Sequence, residues 1–188
     1  MFEPVVHFPW AERLAEADLA DWVTVAAYGV AGFGAFIATR MAGKDDKVRE
    51  RAFWLLTACL LVFFAVNEVF DFQTLITDIG KITAKRDGWY EGRHVYQVWF
   101  IAALAIAGVA IGALTLWLTR TMHCTVHLAI GGLGSIALFI LARAISFHKM
   151  EQWFAQNLPI FNYGTAQELV GIAIVGFAAA LYAQRRRN

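Results

Sequence analysis

Polar and ionisable side chains interrupt the apolar runs of this chain at four places. Asn67, Glu68 and Asp71 close the second run, and Arg93, His94, Tyr96 and Gln97 open the third. Arg143, Ser146 and His148 close the fourth, while Asn162, Thr165, Gln167 and Glu168 open the fifth. Ionisable groups in a bilayer cost roughly 2.5–3.5 kcal/mol each on insertion scales, so such groups have partners or a task. Asn67 and Asp71 lie one helical turn apart, as do Glu68 and Asp71, which gives a patch on adjoining helix faces. Two carboxylates sharing a partly desolvated patch suit proton exchange or a divalent cation. The plainer alternative is a structural ion pair between Glu68 and Arg143, with Asp71 at the membrane interface.

Arg143 stands about a turn from the end of its run, in LFILARAISFH. There it can snorkel, pair with Glu68 or Glu168, or grip an anionic headgroup or carboxylate through its planar fork. Glu168 has a structural reading of its own. Thr165-Ala-Gln-Glu168 is a capping box, with threonine as N-cap and glutamate three residues on. His94 and His148 fall toward the same side as these carboxylates. With carboxylate help from Glu68, Asp71 or Glu168 they form a candidate zinc-like or di-metal set, with haem ligation the lesser alternative and plain interfacial hydrogen bonding the structural one. His123 and His127, four apart, read as one helical face with Met122 and Cys124 beside them, but no acidic residue completes a metalloprotease motif there. Cys59 and Cys124 read as small buried hydrophobes.

These residues must be positioned by long apolar elements. In a chain of 188 residues, 59% are hydrophobic and 16% charged, which is not the balance of an ordinary soluble domain. Apolar runs cover roughly residues 22–41, 52–70, 97–119, 125–146 and 166–183, each long enough to cross a hydrocarbon core of about 30 Å as a helix. The expected fold is therefore all-α: a single transmembrane domain of five spans. Antiparallel threading brings the four polar helix ends to one side. Residues 8–21 and about 71–87 read as amphipathic helices at the outer interface, with Trp89, Tyr90 and the segment 149–164 adding further cover. The first twenty residues carry Glu3, Glu12, Glu16 and Asp18 and lack the basic start of a signal peptide.

Lysine and arginine orient the bundle. Arg40, Lys44, Lys47, Arg49, Arg51, Arg120, Arg185, Arg186 and Arg187 fall on one side and outnumber Arg13, Lys81, Lys85, Arg86, Arg93 and Lys149 on the other. The positive-inside rule then predicts an inner-membrane protein with its amino terminus outside and its carboxyl terminus cytoplasmic. The loop GKDDKVRER reads as a solvated turn of mixed charge. Gly29, Gly32, Gly34, Gly108, Gly112, Gly131, Gly132 and Gly134 signal close backbone approach, within the bundle or against another subunit. A net charge of +1 argues against nucleic acid as a partner.

The stretch NEVFDFQTLITDIGKITAKRDGWYEGRHVYQ, with RAISFHKM and FNYGTAQELVGI, resembles a set of small bacterial inner-membrane proteins. That set carries Asn-x-x-x-Asp-x-Gln-Thr, Gly-Trp-Tyr-Glu and Arg-Ala-x-Ser-Phe-His segments. Asn67, Asp71, Gln73, Thr74, Gly88, Trp89, Tyr90, Glu91, Arg143, Ser146, Phe147 and His148 carry the resemblance, over about residues 60–175. It implies a location in the inner membrane and no particular activity. A looser likeness to ceramidase-type membrane hydrolases implies zinc-assisted hydrolysis, although the full histidine set of those enzymes is not present here.

Two function classes follow. One is a polar-ligand, lipid or metal site at the outer ends of spans two to five. Glu68 or Asp71 would then act as ligand or base, Arg143 as anion clamp and His148 as ligand or proton carrier. Asn67, Gln73, His94, Gln97, Ser146, Asn162 and Glu168 would complete it. The other is a non-catalytic accessory subunit of a larger bioenergetic or photosynthetic membrane complex, packed through glycine-rich faces.

Overall fold

The computed structural model describes residues 17–44, 47–70, 83, 93–145 and 163–185; for 93–98, 100, 101, 104 and 141–145 it describes the backbone alone. Among the described residues there are five helices and no strand: α1 (Leu19–Lys44), α2 (Val48–Phe70), α3 (Arg93–Thr119), α4 (Cys124–Ile145) and α5 (Tyr163–Arg185). α1, α2 and α5 are long and apolar enough to cross a membrane, and in the other two helices the residues described with their side chains include the apolar stretches Ala105–Thr119 and Cys124–Ile140.

The packing of α1, α2 and α5 follows a repeat of small residues. α1 buries Thr24, Tyr28, Ala31, Ala35, Ala38 and Ala42, in steps of four and three that keep one seam facing its neighbours. α5 repeats the pattern with Gly164, Glu168, Gly171, Val175, Ala178 and Tyr182, and α2 with Glu50, Trp54, Thr57 and Leu61. Small side chains let backbones approach closely, and in lipid that dispersion contact replaces the hydrophobic drive between helices. α1 lies antiparallel to α2, with Gly32 facing Ala58 and Leu61 and Gly43 facing Arg51. It lies parallel to α5, where Ala31 meets Gly176 and Gly34 meets Ala179.

α4 joins this group through α5. A Cβ built on Gly132 would stand 2.8 Å from the Gly171 carbonyl oxygen, and one on Gly171 would stand 2.7 Å from Ile136 Cγ1. Only glycine fits at that crossing. Gly29, Gly112, Gly131 and Gly134, by contrast, face open space, so only some of the glycines flagged in the sequence hold helices together. α3 touches α4 over a short length, and Trp99, Ile106, Val109, Ile111, Leu114 and Trp117 along it are exposed.

Several helix ends differ from expectation. α1 begins at Leu19, so residues 19–21 continue the span instead of closing a separate interfacial helix. The cause is a reciprocal cap, in which Asp18 N–H donates to Asp21 Oδ2 at 3.0 Å and Asp21 N–H to Asp18 Oδ1 at 2.9 Å. The rest of the proposed interfacial helices, 8–16 and 71–87 apart from Thr83, lies outside the described residues. α5 begins two residues before Thr165, which therefore sits inside the helix and not at its cap. His123 precedes α4 in the turn after α3, so it shares no helical face with His127. Its ring nitrogen instead accepts from the Thr125 backbone N–H at 3.3 Å.

Both cysteines are free and exposed, which overturns the reading of them as buried. Cys59 is one residue, or about 100° of helix rotation, from the inward-facing Ala58, and Cys124 opens α4. We expect a polar, water-soluble maleimide to label Cys124 but spare Cys59 in intact membranes, and a lipid-permeant one to label both. Equal labelling of Cys59 by the polar reagent would contradict the placement of its helix face in lipid.

Candidate functional site

Polar residues enter the bundle interior at both ends. At the α1 N-terminal end, Tyr28 projects from the small-residue seam, fully buried, and its hydroxyl donates to Glu168 Oε1 at 2.5 Å. That is the short end of the range for a hydroxyl on a carboxylate. Glu168 is only 3% exposed. Glu68, half-buried on α2, lies within electrostatic reach of the same hydroxyl. The Tyr28 ring packs at 6.0 Å from that of Phe64, one turn before Glu68. Three helices thus converge on one carboxylate-rich end: α1 supplies the phenol, α2 and α5 the carboxylates.

Of the residues expected at a site, the structure brings Glu68 and Glu168 together around Tyr28. Asn67 lies beside Glu68, half-buried. Arg143 is carried by α4 two turns beyond Ile136, which packs on Gly171, so its backbone reaches the level where α5 begins. His94 and Gln97 fall in the first turns of α3. The side chains of these three, together with Asp71, Gln73, Ser146, His148 and Asn162, are outside the described residues. So is the metal set of Asp71, His94 and His148. Among the described residues no group of three metal-ligating side chains occurs.

The opposite end holds a second polar centre that the sequence reading passed over as a solvated loop. Glu50 is turned inward and is 7% exposed. Its Oε2 accepts from the Tyr182 hydroxyl at 2.6 Å, and its Oε1 from the His123 backbone N–H at 3.3 Å. Lys47 Nζ stands 3.8 Å from Oε1. The carboxylate therefore ties α2 to α5 and to the α3–α4 turn. Trp54 packs against Tyr182 with ring centroids 5.3 Å apart and the rings tilted by 49°; it is fully buried, and its indole N–H meets no acceptor among the described residues. Glu50 and Glu68 share the inward face of α2, about 27 Å apart at 1.5 Å per residue.

Tyr28 and Tyr182 were the missed residues. A signal for them exists: each is a large polar-tipped side chain inside an otherwise Ala/Gly repeat. A tyrosine buried at such a position needs an acceptor for its hydroxyl. No protein-family model, no curated protein and no solved structure matches this chain.

Proposed function

We propose that this chain is an integral inner-membrane protein that binds a polar ligand or lipid headgroup at the Glu168 end of its bundle. The observation that carries the reading is the buried Tyr28–Glu168 pair, with Glu68 beside it. Carboxylates are rarely placed inside a membrane bundle without a role in binding or proton movement. In this reading the bundle has five spans, the Glu168 end faces outward and the carboxyl terminus is cytoplasmic, in keeping with the basic residues at the Glu50 end. This reading assigns the rest of the site to Asn67, Asp71, Gln73, His94, Gln97, Arg143, Ser146, His148 and Asn162. Arg143 holds an anionic group, and Glu68 or Asp71 accepts a proton or ligates a cation. Where the ligand is hydrolysed, the same carboxylates act as base and His148 as proton carrier, with a divalent metal as the natural cofactor. The resemblance to small bacterial inner-membrane proteins rests on the sequence pattern alone and is in keeping with this location.

A second reading is favoured by α3, whose apolar side chains stand exposed along its length. There the chain is an accessory subunit, and α3 packs against neighbouring subunits. Native mass spectrometry with elemental analysis of gently extracted protein separates the two. A retained lipid, polar adduct or stoichiometric metal that Glu68→Gln and His148→Ala each release, with folding intact, is the expected result. Fixed-ratio co-purification with larger membrane subunits and no adduct would replace it with the accessory reading.

A further inference from the structure

We propose that the Glu50 end presents a cationic surface at headgroup depth that selects anionic phospholipids of the adjoining leaflet, a property separate from the site at the other end. The inference rests on the reading that α1, α2 and α5 cross a bilayer.

Two arginines are held in the same way. Arg40 Cζ lies 5.0 Å from the centroid of Phe36, and Arg120 Cζ lies 5.3 Å from that of Trp117. In each pair the aromatic residue is exposed and sits about one turn nearer the middle of its helix. The ring thus spans the apolar edge of the bilayer while the guanidinium reaches the headgroups. The cation–π contact holds each guanidinium against its ring, and the N–H groups not directed at the ring are left for phosphate oxygens.

The described acidic residue at this end is turned inward. Glu50 points into the bundle, bonded to Tyr182 and to the His123 backbone, with Lys47 beside it. Arg49 is engaged too, donating to the Leu118 carbonyl. Arg185 donates to the Cys124 sulfur, and among the described residues the other outward charges at this end are all positive: Arg40, Lys44, Arg51 and Arg120. Asp45 and Asp46 lie outside the described residues. Among the described residues, the carboxylate of this mixed-charge segment thus turns inward while its cations turn outward, beside exposed apolar helix faces. That combination is complementary to a phosphodiester headgroup with acyl chains attached, and a free anion would leave the apolar flank unused.

The test is to reconstitute the full chain in vesicles of phosphatidylcholine with a minor fraction of phosphatidylglycerol, re-extract it gently and measure the lipids retained by native mass spectrometry. The protein is expected to retain phosphatidylglycerol several-fold above its bulk ratio. The Arg40→Gln/Arg120→Gln variant should bring retention down to about the bulk ratio, since each cation near the surface contributes up to roughly fivefold. Arg40→Lys/Arg120→Lys, which keeps the charge, should restore most of it, and raised salt should weaken it. The single glutamine variants carry the same comparison if the double variant extracts poorly. Retention at the bulk ratio by a properly inserted wild type overturns the proposal, as does an enrichment that the glutamine variants leave intact. Failure of the wild type to insert at all overturns the membrane-spanning reading and this inference with it.

Discussion

Replacing Gly132 with leucine is expected to unseat α5 from α4 and to be the most damaging single substitution at a described glycine. Even the first added carbon would stand 2.8 Å from the Gly171 carbonyl oxygen, 2.8 Å from Val175 Cγ2 and 3.1 Å from Ile174 Cγ2. A side-chain tip can rotate away, but a backbone carbonyl moves only if its helix moves. Overpacking a tight core costs about 1–3 kcal/mol for modest insertions, so Gly132→Ala belongs in that range and Gly132→Leu at or above its top. In lipid the cost is felt fully, because close packing is a main source of helix association there. Gly131→Leu is the control, since nothing lies within 4 Å of a Cβ at that position. Unfolding of the purified protein in bicelles by a denaturing detergent measures both. Equal stability of the Gly132 and Gly131 variants would mean that the α4–α5 crossing is not the one described.

The second large effect concerns Tyr28 and Glu168. Tyr28→Phe removes a donor from a carboxylate that is 3% exposed. Hydrogen bonds to charged groups contribute about 1.5–3 kcal/mol in soluble proteins, whereas couplings between membrane helices average about 0.6 and reach about 1.7. A loss of roughly 0.6–3 kcal/mol is therefore expected for Tyr28→Phe. Adding Glu168→Leu on top should cost less than the sum of the two single changes, because the pair is then removed as a unit. The coupling from the four-protein cycle is the decisive quantity. Additivity to within about 0.3–0.5 kcal/mol would show that the hydroxyl and the carboxylate do not meet. If the proposed function is correct, Tyr28→Phe also weakens retention of the adduct sought by native mass spectrometry, since it alters the inner wall of the site.

The helical character of the chain was legible because a polypeptide crossing hydrocarbon must satisfy its backbone within one segment, and about twenty apolar residues are the mark of that. Hydropathy located the apolar middles of the helices better than their ends. α2 begins at Val48, not at residue 52, because the Val-Arg-Glu-Arg turn is helical although polar. α1 starts at Leu19 because an aspartate pair caps it, a local signal that the amphipathic reading of residues 8–21 missed.

The partners of the buried polar groups were not legible in the same way. Glu168 was visible as an intramembrane carboxylate, yet its hydroxyl donor lies 140 residues earlier. Glu50 looked like one charge among many in GKDDKVRER, and Tyr182 is 132 residues away from it. Composition and local spacing are short-range properties, and they marked apolar helices and the polar or basic residues near their ends. Which seam of each helix turns inward depends on the fit of small residues against particular neighbours. That packing rotates Glu50 and Glu168 into the bundle and leaves Cys59 and Arg40 facing out, because each residue's direction is set by its helix's contacts with chain far away in sequence.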